Sequence, residues 1–128
     1  IQVLSKSPEK SRPYVDLGNF WVKHRFYFLA TDAFQDAAVI APRDGTALTN
    51  LANVLFLRGK LDSAERYYRS ALVVDEDDYQ AHFNYGLVLT AKGDIEGARR
   101  QYQQLQRIKA APDAMRAQLK AALKDSAA

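Results

Sequence analysis

The stretch "RGKLDSAERYY", residues Arg58–Tyr68, decides the fold, because "KGDIEGARRQY", residues Lys92–Tyr102, repeats its pattern 34 residues later. Identity at this offset also extends upstream: Ala47, Asn50, Val54, Leu55, Gly59, Ala64, Arg66 and Tyr68 recur as Ala81, Asn84, Val88, Leu89, Gly93, Ala98, Arg100 and Tyr102. Two unrelated amphipathic helices would share apolar spacing, but they would not share Gly, Asn and Arg in one register. The chain is therefore built from a repeated unit.

A weaker copy of the unit lies another 34 residues upstream. Leu17, Gly18, Asn19, Ala30, Phe34 and Ala37 precede Leu51, Ala52, Asn53, Ala64, Tyr68 and Ala71. The pattern predicts three units, at 11–44, 45–78 and 79–112. Residues 1–10 are then an N-terminal extension, and residues 113–128 form a C-terminal capping helix and tail.

Each unit is predicted to contain two helices. In the second unit, Leu48, Leu51, Ala52 and Leu55 mark one stripe at helical spacing, and Leu61, Ala64, Tyr68, Ala71 and Leu72 mark another. Gly59 lies between them, where a helix end favours a residue with positive φ. Because no stretch alternates like a strand, the sequence predicts an all-α fold of about seven helices.

The unit resembles the tetratricopeptide repeat, whose pattern is aromatic-x2-Leu-Gly-x2-aromatic, then Ala-x3-aromatic, then Pro. The first unit matches best, with Tyr14, Leu17, Gly18, Trp21, Ala30, Phe34 and Pro42. The resemblance implies a right-handed superhelical solenoid of antiparallel helix pairs.

The first unit departs from the pattern at its turn, where Arg25 replaces Gly. We expect an irregular helix boundary there. The neighbouring Phe26 and Phe28 are expected to complete the core under a terminal repeat. The alternative is an exposed apolar patch that docks an upstream segment or a second copy.

The segment after Pro112 is predicted to be a seventh helix that covers the last exposed face of the solenoid. Its apolar face consists of Met115, Leu119, Ala122 and Leu123, and the side chains of Arg116, Lys120 and Lys124 are expected to point outward.

Composition narrows the classes of protein. The chain has 128 residues, a net charge of +3 and no Cys, which excludes disulfides and thiolate metal sites. No apolar run approaches the ~20 residues of a transmembrane helix. Because residue 1 is Ile rather than Met, we expect a processed or excised piece. Cytoplasmic and periplasmic locations are both compatible with this composition.

Seven basic residues lie between Arg99 and Lys124, with Asp113 as the one acid among them. A solvated basic end explains this run. A nucleic-acid or anionic-lipid patch is the alternative, but the run lacks the interleaved aromatic residues that would favour it.

No set of residues points to catalysis, a metal or a cofactor, so the chain is predicted not to be an enzyme. His82 takes the place of a buried aromatic residue or Leu in the repeat, which favours a core histidine. Asp16 and His24 are eight residues apart on one predicted helix, about 12 Å, which is too far for a catalytic dyad.

The family resemblance implies that the first helix of each unit lines a concave groove that binds a partner peptide. The predicted contact residues are Asn19, Val22, Lys23, Asn53, Phe56, Leu57, Phe83 and Leu87. Family members that clamp an acidic C-terminal tail use two Asn, here matched by Asn19 and Asn53, and three cations.

Val15, Phe83 and Leu87 stand at those cation positions, so we expect an extended, apolar segment instead. The groove residues could alternatively support curvature or pack on the C-terminal helix. The resulting prediction is a protein-interaction scaffold in a larger assembly, with homo-oligomerisation through the aromatic first unit or a solenoid end as the alternative.

Overall fold

The computed structural model describes residues 8–127, and every regular element in that range is a helix. The seven helices are α1 (Pro8–Lys23), α2 (Tyr27–Ile40), α3 (Gly45–Leu57), α4 (Leu61–Val74), α5 (Tyr79–Lys92), α6 (Ile95–Arg107) and α7 (Asp113–Ala127). The prediction of an all-α fold is confirmed for this range. α1 begins three residues before the predicted first unit. Residues 1–7 of the predicted extension, and residue 128, lie outside the described residues.

The two helices of each pair are joined by the same turn. Its central residue has positive φ in each case: 65° at Arg25, 78° at Gly59 and 84° at Gly93. The following amide donates to a carbonyl five residues back, at 2.8 Å in all three turns, from Phe26 to Trp21, Lys60 to Leu55 and Asp94 to Leu89. These are Schellman motifs. The expected irregular boundary at Arg25 is therefore wrong, because Arg25 itself adopts the left-handed conformation.

The chain divides into two compact units, of which the first ends at Asp75. Within it, α1 packs on α2, α2 on α3 and α3 on α4. Gly18 allows α1 to approach α2 closely, because a Cβ on Gly18 would lie 2.3 Å from the ring of Phe34. Phe34 and Tyr68 are fully buried, as the repeat pattern predicts for these aromatic positions.

Aspartates cap the helices that open the second and third repeats. Asp44 and Asp78 accept backbone hydrogen bonds from the first turns of α3 and α5. Asp44 also accepts a hydrogen bond of 2.7 Å from the hydroxyl of Ser11. This second bond fixes α1 against the start of α3.

The second compact unit begins at Glu76 and contains α5, α6 and α7. One buried cluster of this unit consists of Leu105, Ile108, Ala111 and Leu119, with Leu123 packed against it. α7 lies close to α5 at Gly86, where a Cβ would meet Leu119 at 2.7 Å. The predicted apolar face of α7 is confirmed at Leu119 and Leu123.

Arg116 does not point outward as predicted. Its guanidinium donates to the backbone oxygens of Leu105 at 3.1 Å and Ile108 at 2.6 Å. The last carbonyls of a helix lack partners within that helix, so Arg116 satisfies them at the end of α6.

Phe26 and Phe28 do not complete the core, which corrects the expectation from sequence. Their side chains are 54% and 71% exposed. Phe28 carries the guanidinium of Arg58 above its ring, 4.0 Å from the ring centre. In the described range, none of the helices is long and apolar enough to cross a membrane.

Candidate partner-binding groove

A cavity of about 680 Å³ lies beside α1 and the start of α3 in the first compact unit. The residues that line it are Glu9, Arg12, Pro13, Val15, Asp16, Asn19, Asp44 and Thr46. Among the eight predicted contact residues, Asn19 is the one that lines this cavity. Its side chain is exposed, so a ligand could reach the amide directly.

Asn19 forms a hydrogen bond with Asn50, which is not among the predicted contact residues. The Asn50 amide nitrogen donates to the Asn19 amide oxygen at 3.4 Å, which links α1 to α3. In the sequence pattern, Asn50 appears only as an identity with Asn84 in the next unit. Its spacing was the available signal, since Asn50 lies one helical turn before Asn53, on the same side of α3.

The side chain of Asn53 forms a hydrogen bond within the protein. The hydroxyl of Tyr68 donates a hydrogen bond to the Asn53 amide oxygen. Tyr68 is completely buried and Asn53 is half-buried. Because an unpaired buried hydroxyl costs about 1–3 kcal/mol, this bond ties α3 to α4 and gives Asn53 a structural role.

The other predicted residues of the first unit lie at the last turns of α1 and α3, away from the cavity lining. Lys23 is exposed, and Leu57 is 55% exposed. Val22 and Phe56 are half-buried. The structure therefore separates these four residues from the cavity, although Leu57 and Lys23 remain open to a partner.

Phe83 and Leu87 belong to the second compact unit. Both are half-buried and pack against the cluster of Leu105, Ile108, Ala111 and Leu119. This arrangement agrees with the alternative in which they pack near the C-terminal helix, and it leaves only part of each side chain for a partner.

The cavity carries more negative than positive charge. Glu9, Asp16 and Asp44 contribute carboxylates, and Arg12 contributes the one guanidinium among the lining residues. Asp44 is already engaged by Ser11 and by the backbone of α3. A carboxylate ligand would be repelled here, whereas neutral or basic groups would not.

The described residues contain no group of three or more His, Asp or Glu side chains arranged to hold a metal ion. His82 is buried, with Nδ1 at 2.7 Å from Gln101 Oε1 and Nε2 at 2.8 Å from the backbone oxygen of Glu76. Both ring nitrogens are therefore occupied, as expected for a core histidine with a structural role.

The family model of the tetratricopeptide repeat matches residues 23–77 and 49–114. The chain belongs to the tetratricopeptide repeat family. The matched segments overlap and together cover most of the chain, in agreement with the 34-residue period and the three helix pairs.

Three known proteins illustrate the likeness. The cell division cycle protein 27 homolog of Caenorhabditis elegans is 30% identical over 105 residues, which is 76% of this chain but 13% of that protein. The first tetratricopeptide domain of Spaghetti (RPAP3), bound to an HSP90 peptide, superposes with a TM-score of 0.86 at 20% identity, covering 95% and 97% of the two chains.

The type III secretion chaperone SycD of Yersinia enterocolitica, in complex with a peptide of the translocator YopD, gives a TM-score of 0.85 at 18% identity and covers 94% and 95% of the two chains. At these identities, the two structural likenesses establish the fold alone.

Proposed function

We propose that this chain is a non-catalytic protein-interaction scaffold and that the cavity beside α1 and the start of α3 receives an extended segment of a partner protein. The observation that carries the proposal is this cavity of about 680 Å³, placed on the first helices of two successive repeats. The volume falls in the range of ordinary ligand pockets. Two proteins of like fold were solved with peptides bound, which supports a peptide as the ligand class.

Asn19 and Thr46 are the polar groups best placed to hold the peptide backbone. Both line the cavity and both are exposed. An amide side chain carries two donors and two acceptor sites, and the bond from Asn50 uses one of them. Val15 adds an apolar wall. This combination suits a neutral, extended segment rather than one selected by charge.

The acidic peptide SRMEEVD bound by the Spaghetti domain is not the proposed ligand class. Val15 occupies a position where acid-binding relatives are expected to carry a cation, and the carboxylates of Glu9 and Asp16 lie in the same cavity. An acidic tail would meet repulsion there without a compensating cation pair.

The remaining predicted residues are proposed as secondary contacts, each on its own unit. Leu57 and Lys23 are exposed enough to extend the surface beyond the cavity. Phe56 and Val22 offer half-buried apolar edges on the same two helices. Phe83 and Leu87 could add apolar contact on α5, limited by their packing on the second core.

The test is selection of displayed random peptides on the immobilised chain, followed by fluorescence anisotropy with the selected peptides and with SRMEEVD. Asn19→Arg and Thr46→Arg place a long side chain in the cavity at exposed positions, so folding is retained. Gln35→Arg on the exposed side of α2 is the matched control, because it adds the same side chain outside the cavity.

We expect both cavity variants to weaken the selected peptides at least tenfold, and the control to bind like the parent chain. SRMEEVD should bind no better than a scrambled peptide. Equal affinity in all three variants, at unchanged melting temperature, would remove the cavity as the binding site. Strong binding of SRMEEVD would refute the proposed ligand class.

A further inference from the structure

α1 has an apolar surface on two sides. One side, with Val15 and Gly18, packs into the first compact unit and is buried. The other side carries Tyr14, Leu17 and Phe20, which are 38%, 43% and 51% exposed. A helix that is apolar on both sides is normally covered on both sides.

In the second repeat, the residues at the corresponding positions are buried. Thirty-four residues later, Leu48, Leu51, Val54 and Leu55 stand where α1 has Tyr14, Leu17, Phe20 and Trp21, and their exposed fractions are 6%, 1%, 0% and 6%. They belong to α3, on which α2 packs. Within the first compact unit, no helix of the described residues covers Tyr14, Leu17 and Phe20 of α1 in the way that α2 covers α3.

The exposed surface is continuous and aromatic. The ring centre of Trp21 lies 5.2 Å from the ring centre of Phe20 and 5.6 Å from that of Phe26, and both pairs are edge-to-face. We call Tyr14, Leu17, Phe20, Trp21 and Phe26 the outer α1 face. Its exposed apolar area is roughly 400 Å², taking about 150–250 Å² for each complete aromatic side chain.

The outer α1 face is wider than one repeat helix would cover. Phe26 stands at the position of Lys60 and Asp94 in the later units, and both of these are exposed polar residues. A helix packed as α2 packs on α3 would therefore leave Phe26 in water. A fitting occupant must be apolar along α1 and also across the α1–α2 turn.

We infer that the occupant is a second copy of this chain, with the outer α1 faces of two molecules packed together about a two-fold axis. A second copy presents the same face, so the two contact surfaces have the same width, as in any isologous interface. Neither Asp nor Glu is among its five residues, so like faces meet without carboxylate repulsion. Two faces of roughly 400 Å² would bury about 800 Å² in total, which is less than a stable interface buries, so the dimer is expected to be weak and reversible.

Trp21 is the single Trp in the chain, so it reports on this face directly. Sedimentation equilibrium between about 1 and 500 µM should show a monomer–dimer transition, and acrylamide quenching of Trp21 should fall over the same range. Phe20→Glu should shift the transition at least tenfold toward higher concentration. Val73→Glu is the matched control, because Val73 is 80% exposed on α4 and outside the face.

A second measurement does not depend on a charged variant. The chain has no Cys, so Leu17→Cys introduces one thiol on the outer α1 face, and Val73→Cys introduces one elsewhere. Mild oxidation should give a disulfide-linked dimer for Leu17→Cys only. The inference fails if the chain stays monomeric at 500 µM, if Phe20→Glu dimerises like the parent, or if both cysteine variants cross-link equally.

Discussion

Replacement of Arg25 by Gly is expected to stabilise the chain, because Arg25 adopts a conformation that L side chains avoid. Its φ of 65° matches the values of 78° and 84° at Gly59 and Gly93. The left-handed conformation costs a non-Gly residue about 1–2 kcal/mol. The unfolded chain of the Gly variant has greater conformational entropy, which offsets about 0.4–1 kcal/mol of the relieved strain. The net gain in the free energy of unfolding should be about 0.5–1 kcal/mol.

Urea denaturation followed by circular dichroism would measure this gain, and calorimetry should show a melting temperature higher by about 2–4 °C. The reverse change supplies the matched control. A Cβ added at Gly59 or Gly93 meets nothing within 4 Å, so the loss in Gly59→Ala or Gly93→Ala arises from the backbone alone. Each should lower stability by about 1 kcal/mol.

The reasoning is refuted if Arg25→Gly lowers stability while both alanine variants also lower it. That result would mean that the Arg25 side chain contributes more contact energy than the strain of its backbone. It would also restore the expectation that the first turn differs in kind from the other two.

Three further substitutions test the packing. Gly18→Ala should lower the free energy of unfolding by about 1–3 kcal/mol, because the added methyl overlaps the rigid ring of Phe34, and Phe34→Leu should recover part of the loss in a double-mutant cycle. Tyr68→Phe should cost about 0.5–1.5 kcal/mol in urea titrations, and much less in an Asn53→Ala background, where the partner is gone. Arg116→Ala should cost about 1–3 kcal/mol and speed amide exchange in α7, whereas Lys120→Ala on its exposed side should change neither.

Short-range pattern was enough to predict the helices and their turns. Residues such as Leu51, Ala64 and Gly59 act through local spacing, and the period of 34 residues repeats that spacing until the pattern is unambiguous. Arg25 is the exception, because the chain forms the turn without the residue that normally signals it. The backbone bonds of the turn and the packing of α1 on α2 outweigh the local preference of one side chain.

The candidate site was predicted less completely, because it depends on which side chains meet across helices. Asn19, a predicted contact residue, lines the cavity, whereas its hydrogen-bond partner Asn50 was not predicted to belong to the site. Asn53 was assigned to the groove only from its position within the repeat. A residue fifteen places later, Tyr68, takes its amide oxygen, and no spacing rule within one helix indicates such a bond.

The sequence by itself determined that this chain is a set of helical repeats, since helix periodicity and turn residues are local and recur in register. Only the tertiary structure decided which side of each helix is covered. Leu51 and Leu17 occupy the same repeat position, yet one is 1% exposed and the other is 43% exposed. The difference lies in whether a neighbouring helix removes the side chain from water, and burial of apolar area is a property of the packed chain rather than of the residue.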